Sequence, residues 1–208
     1  NFVDAHHIIL LLIKYLKEEK NFDGEVITAF SCSEKVSKLC KHYGLEQTTT
    51  KIGFKYVCEL MLKGGFLLGG EESGGMAIQG HIPERDGIWI GLTIWEYMAK
   101  SGKTLEELID EVYEIVGPFA FERIDLHLSE GQKQSVMSDC ASGAIKELVG
   151  RPIQRVDDTD GYKFFFNDDE WIMIRPSGTE PVLRTYCEST SSEAAINLLK
   201  ETHKQLLN

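Results

Sequence analysis

The sequence predicts an α/β unit followed by an α+β unit, that is, a sheet layered with helices and then an antiparallel sheet covered on one side. Two observations carry this. From about residue 4 to residue 116, short apolar strand patterns alternate with helical ones. After residue 119, extended segments follow one another through short turns, with helical patterns among and after them. Gly117-Pro118 reads as the boundary, which gives domains 1–117 and 118–208.

In the first domain, Asp4 to Glu19 is a strongly apolar helix, broken by Asn21 to Gly24. Val26, Ile27, Ala29 and Phe30 form a strand. Ser31-Cys32-Ser33-Glu34 has the spacing of a capping box before a helix that ends at Gly44. Leu45 to Thr50 is extended. Gly53 to Lys63 is helical, with Phe54, Val57, Cys58, Met61 and Leu62 on one face. Gly64-Gly65 stops it, and Phe66 to Leu68 is a buried strand. The polar loop His81 to Gly87 precedes an apolar helix, Ile88 to Ala99. Thr104 and Glu107 cap another, to about Val116.

In the second domain, Phe119 to Leu128 is extended and Gln132 to Val149 helical. Ile153–Val156, Tyr162–Phe166, Trp171–Ile174 and Val182–Glu188 are strands. Thr190 and Glu193 cap a last helix, with Ile196, Leu199, His203 and Leu206 near one face. The acidic turns at 157–161 and 167–170 lack the ligand alternation of a calcium loop and read as solvated hairpin turns.

Charge narrows the function. The 208 residues carry a net charge of −11, which argues against nucleic acid or an anionic membrane as a partner. An anion site must then be local and built from a few arginines. Five scattered cysteines without a Cys-x-x-Cys pair argue against zinc or a disulfide framework, and for a reducing, cytoplasmic setting. The apolar run Ile8–Ile13 is far shorter than the roughly 20 residues of a membrane span. No secretory leader is visible. The chain opens on Asn1, almost directly in a helix pattern, so further sequence is expected before it.

Two loops carry the chemistry. Arg175-Pro176-Ser177-Gly178-Thr179-Glu180-Pro181, with Arg184 beyond it, lies between apolar strands. Its guanidinium groups can hold phosphate oxygens through paired hydrogen bonds, and a turn of successive N–H groups forms an anion nest. The competing reading is a hairpin turn with two solvated arginines. The second loop, Gly69 to Gly75, presents Glu71, Glu72 and Ser73. Its glycine spacing fits neither a dinucleotide fingerprint nor a P-loop. Its carboxylates suit sugar hydroxyls, whose protons an ionised carboxylate accepts.

Gly70-Glu71-Glu72-Ser73-Gly74, His81-Ile82-Pro83-Glu84-Arg85-Asp86-Gly87 and Arg175-Pro176-Ser177-Gly178-Thr179-Glu180-Pro181, together with Ile52-Gly53-Phe54-Lys55-Tyr56, occur in an order that resembles the α-D-phosphohexomutases. Within them the match is most similar to the bacterial phosphoglucomutase/phosphomannomutase type and spans nearly the whole chain. Members have four domains, and this sequence resembles the third and fourth. The resemblance implies a mixed sheet between helices, then a TATA-box-binding-protein-like antiparallel sheet with helices on one face.

It also implies roles. Glu71 and Ser73 would grip sugar hydroxyls, Lys55 and Arg85 would line the cleft with His81 beside them, and Glu72 would face away. Arg175, Ser177, Gly178, Thr179 and Arg184 would clamp the phosphate that is not transferred. The ligands implied are glucose or mannose 1- and 6-phosphates. The family's phosphoserine loop and aspartate-rich magnesium loop are not in this sequence. The resemblance therefore implies no catalytic nucleophile and no metal ligand here, with Mg2+ held by the first two domains of an intact chain. Two other readings stand beside this one: a free-standing phosphosugar-binding module, and a fragment of a phosphoglucosamine or phospho-N-acetylglucosamine mutase.

Overall fold

The computed structural model describes residues 2–177 and 182–207. The chain divides into two compact units, Asn1–Gly117 and Pro118–Asn208.

The first unit runs α1 (Ala5–Glu18), β1 (Glu25–Ala29), α2 (Lys35–Tyr43), β2 (Gln47–Thr50), α3 (Phe54–Met61), β3 (Phe66–Gly70), β4 (Met76–Ile78), α4 (Gly87–Ser101) and α5 (Leu105–Val116). Its sheet has the order β2-β1-β3-β4. β1 pairs in parallel with β2 and with β3, and β3 pairs antiparallel with β4, so the sheet is mixed. The Asp4 side chain caps α1 by accepting the His7 N–H at 3.0 Å. Ile9 to Ile13, Tyr15 and Leu16 are all buried, the mark of a helix enclosed by other elements. Two glycines of β3 show the layering, because successive strand residues point to opposite faces. A Cβ on Gly69 would meet Val57 Cγ1 of α3 at 2.6 Å, and one on Gly70 would meet Ile9 Cδ1 of α1 at 3.0 Å. The sheet therefore lies between α3 and α1. On the α3 side Ile27, Phe54, Val57, Met61 and Ala77 form one apolar cluster.

The second unit runs β5 (Ala120–His127), α6 (Glu130–Ser142), β6 (Glu147–Leu148), β7 (Arg151–Pro152), β8 (Arg155–Asp157), β9 (Tyr162–Phe165), β10 (Trp171–Pro176), β11 (Val182–Ser189) and α7 (Ser192–Leu206). Five strands form an antiparallel sheet in the order β5-β11-β10-β9-β8. Val136 and Cys140 of α6, with Ala195 and Leu199 of α7, pack against Phe164, Ile172, Ile174, Leu183 and Cys187 of one sheet face. The alternation of apolar residues along these strands thus aims one set at both helices. The fold class expected from the sequence holds in both units. Among the described residues no helix is long and apolar enough to cross a membrane.

The structure corrects several local readings. The Ser31–Glu34 box does not form: Glu34 is the N-cap of α2 and makes no side-chain cap bond. Ser31 Oγ instead donates to Glu72 Oε2. The helix expected to reach Val149 stops at Ser142, because Gly143 adopts a left-handed conformation at its C-cap. Residues beyond it build the β6–β7 hairpin. The last helix is capped by Ser191, whose side chain accepts the Ala194 N–H at 3.2 Å, not by Thr190. Leu62 falls at the C-cap of α3, past the inward stripe, and is 70% exposed. β4 was not foreseen, being only three residues long and too short to show a period.

Candidate functional site

In the first unit, three loops converge on one carboxylate. Glu71 follows β3 at the mouth of a tight loop, where its N–H donates to Gly75 O at 2.9 Å and its carbonyl accepts the Gly74 N–H at 3.1 Å. The Gly53 N–H, at the N-cap of α3, donates to Glu71 Oε1 at 3.0 Å. Glu71 is buried. Burial pushes its carboxyl above the usual range, the neighbouring Glu72 carboxylate adds to this, and the Gly53 N–H and Arg85 oppose it. The result is an acceptor held in place by backbone, with its second oxygen left for other donors.

Arg85 borders that oxygen. A Cβ on Gly75 would lie 2.6 Å from Arg85 Cδ and 3.1 Å from Glu71 Oε2, so only glycine leaves room for both arms. The Arg85 guanidinium lies 5.1 Å from the Phe54 ring centroid, and its Nε is 3.2 Å from Glu84 Oε1. Lys55, next to Phe54 in sequence, is exposed, its Nζ 4.6 Å from the Tyr56 ring centroid. Ser73 is exposed at the tip of the loop. His81 is engaged within its own loop: Nε2 sits 2.9 Å from Asp86 Oδ2, and the ring stacks on Trp89 at 4.5 Å. Asp86 also caps α4, accepting the Trp89 N–H at 2.9 Å. Backbone and side-chain donors hold its carboxyl below the usual range. Glu72 accepts from Ser31.

In the second unit, the ladder of β10 and β11 places Arg175 directly opposite Arg184. Two like charges at opposed positions of an antiparallel pair destabilise it. Acids flank them: Arg175 Nε is 3.2 Å from Asp160 Oδ2, and Arg184 is the register partner of Asp125 on β5. Asp125 is itself held by Arg123 through two bonds of 2.8 and 2.7 Å. The acidic turn at 157–161 is thus not merely solvated. Gly161 lets it close, since a Cβ there would lie 2.7 Å from Ile174 O. Ser177 is buried, and its N–H donates to Val182 O at 3.0 Å, closing the base of the loop. That N–H is therefore committed to the loop. Gly178 and Thr179 lie outside the described residues.

Several contributors were given no role in the sequence reading. Phe54, Gly75, Asp86 and Trp89 support the first site, and Asp160 supports the second. Lys133 of α6 also reaches the second, its Nζ 3.2 Å from Ser177 O. The one advance signal was the Ser129-x-x-Gln132 spacing, which forms a capping box and fixes where α6 begins.

Residues 4–116 match the family model for the phosphoglucomutase/phosphomannomutase α/β/α domain III, and residues 130–205 match the model for the C-terminal domain of the same family. The chain belongs to the phosphoglucomutase/phosphomannomutase family. A phosphoglucomutase/phosphomannomutase of Thermococcus kodakarensis is 33% identical over 192 residues, covering 89% of this chain and 40% of that protein. A phosphoglucosamine mutase of Bacillus licheniformis is 29% identical, covering 93% of this chain and 39% of that protein. Among solved structures, a candidate phosphomannomutase from Thermus thermophilus superposes with a TM-score of 0.81 at 30% identity, covering 99% of this chain and 41% of that one. This phosphoglucomutase/phosphomannomutase-family chain thus spans about two fifths of the length of the curated relatives it matches.

Proposed function

We propose that this chain is the substrate-binding half of a phosphohexomutase, which interconverts hexose 1-phosphate and hexose 6-phosphate through a phosphoserine and a hexose bisphosphate. The observation that carries this is the opposition of Arg175 and Arg184 at the mouth of the 177–182 loop. Arg175 and Arg184 hold opposed register positions with Asp160 and Asp125 beside them, and a phosphate monoester offers oxygens for both guanidiniums. Ser177, and in the same reading Gly178 and Thr179, complete the clamp for the phosphate that is not transferred.

The first unit serves the sugar. Glu71 Oε2 accepts from hydroxyls, Ser73 adds a hydroxyl of its own, and Lys55, His81 and Arg85 border them. A bisphosphate has to turn over between the two half-reactions, so the sugar contacts must serve both orientations. Neighbouring hydroxyls look alike after the turn, and a carboxylate accepts from either. The transferred phosphate, its serine and the magnesium ion belong to other domains of an intact enzyme in the cytoplasm. Among the described residues there is no group of three or more His, Cys, Asp or Glu that could hold a metal ion. Positioning and charge stabilisation dominate phosphoryl transfer, which makes the chain inactive alone.

Relatives named phosphoglucosamine mutase favour a second reading, in which the sugar carries an amine. Titrating the chain with glucose 6-phosphate, mannose 6-phosphate and glucosamine 6-phosphate, without magnesium, separates the readings. An NMR titration should move the Ser177 amide with every phosphosugar, and the Gly53 and Gly75 amides according to the sugar. Turnover by the purified chain, or shifts that spare Ser177, would sink the proposal.

A further inference from the structure

We propose that Ser31 is a positioning residue of the sugar site, acting through Glu72. The inference rests on the sugar reading of Glu71 and adds to it a loop from another strand. β1 and β3 are parallel neighbours, with Thr28 opposite Gly70. Their carboxyl ends therefore leave the sheet at the same edge, the edge at which open α/β sheets take their ligands. Residues 30–34 leave β1 there, and residues 71–75 leave β3. Two contacts join the strand ends. Ser31 Oγ donates to Glu72 Oε2, and Cys32 Sγ lies 3.8 Å from Gly70 O. Ser31 is 0% exposed, so bulk water cannot replace Glu72 on its hydroxyl.

These contacts fall on the two chain neighbours of Glu71. Gly70 is held in the ladder, opposite Thr28 on one side and Met76 on the other. Glu72 is held by a hydroxyl bonded to its carboxylate, and such a charge-assisted bond is roughly twice as strong as one between neutral groups. Peptide units are planar, so restraining both neighbours restrains the backbone dihedrals of Glu71 and the direction in which its side chain leaves. That direction brings Oε1 to the Gly53 N–H at 3.0 Å. The loop needs such a brace, because Ser73 and Gly74 at its tip are exposed. The second effect is electrostatic. Burial, and then the Glu72 carboxylate, push the Glu71 carboxyl above its usual range. A donor on Glu72 draws that charge toward β1 and leaves Glu71 better able to stay ionised, the form that accepts from hydroxyls.

The test is an NMR titration of the wild-type chain, Ser31→Ala, Glu72→Ala, Glu72→Gln and the double alanine variant, with glucose 6-phosphate and with inorganic phosphate. Ser31→Ala should weaken glucose 6-phosphate by roughly threefold to tenfold, the worth of one such hydrogen bond, and leave inorganic phosphate within about twofold. The Glu71 and Gly74 amides, which close the loop, should exchange faster before any ligand is added. Ser31→Ala should add less than about twofold once Glu72 is alanine, because it acts through that side chain. Glu72→Gln keeps an acceptor for Ser31 and should bind more tightly than Glu72→Ala. Unchanged glucose 6-phosphate affinity in a folded Ser31→Ala, or a loss shared equally by inorganic phosphate, overturns the inference and leaves the sugar site standing. If Ser31→Ala unfolds, Glu72→Ala decides: wild-type affinity with wild-type exchange in 71–75 overturns it. A wild-type chain whose Gly53 and Glu71 amides ignore glucose 6-phosphate while its Ser177 amide responds removes the sugar reading, and this one with it.

Discussion

The two candidate sites solve opposite problems with opposite devices. In the first unit a single buried carboxylate, Glu71, is held by the Gly53 N–H at 3.0 Å, and the surrounding loops are shaped by glycines. In the second unit cations are mounted on neighbouring strands, Arg175 against Arg184. A neutral hydroxyl gives little energy at long range, so its acceptor has to be preorganised at atomic distance. A phosphate gives much, so its cations need only a common direction and enough rigidity to bear their mutual repulsion. Loops suffice for the first when backbone bonds fix them. A strand ladder supplies the second.

Breaking the cationic side should have the largest effect. Arg175→Lys keeps the charge and loses the fork, so phosphate affinity in the same titration should fall roughly tenfold to a hundredfold. Near-native affinity would show that direction matters less than charge. Next is the scaffold of the first site. Gly69→Ala forces a methyl against Met61 and Val57 and should lower the stability of the first unit by about 1–3 kcal/mol. Hydrogen exchange should show the loss in 1–117 and spare 118–208.

Glu71→Gln keeps an acceptor for Gly53 but removes the ion, and should weaken sugar binding by about fivefold. Folding raises the Glu71 pKa, so its ionised form costs stability as pH rises through the ordinary carboxylate range. The glutamine variant should therefore melt no lower than wild type at pH 7. A marked drop would make Glu71 structural. The smallest effect concerns a histidine of α7. His203 Nε2 lies 2.7 Å from Thr185 Oγ1, and burial lowers its pKa from 6.5. An unfolded chain binds that proton more readily, so stability should fall as pH drops below about 6.5, and His203→Gln should flatten the slope in urea melts.

Much of this was legible in the residues. The alternation of strand and helix, the Thr104–Glu107 box and the inward stripe of α3 all rest on local rules, and the structure keeps them. The failures were local rules outbid by tertiary partners. Ser31 left its capping position for Glu72, a residue 41 positions away. Gly143 ended a helix that periodicity alone would have continued. In the candidate sites, the motifs drew attention to Glu71, Arg85, Arg175 and Arg184. They did not reveal the supports, because Gly53, Gly75, Asp160 and Lys133 act through backbone or through space across loops distant in sequence.

The outer strand β8 has a consequence for solubility. A sheet in the order β5-β11-β10-β9-β8 ends on β8 with one row of backbone donors and acceptors turned to no strand of the sheet. Such an edge recruits strands from other molecules when it is long, flat and apolar. β8 is three residues long, Arg155-Val156-Asp157, and alternates charge around one half-exposed valine. The Arg155 guanidinium lies 3.5 Å from the Phe165 ring centroid, so the charge is fixed over the aromatic ring it would otherwise leave open. The same sheet that sets Arg175 opposite Arg184 thereby carries, at its β8 edge, a guard against fibrillar self-association.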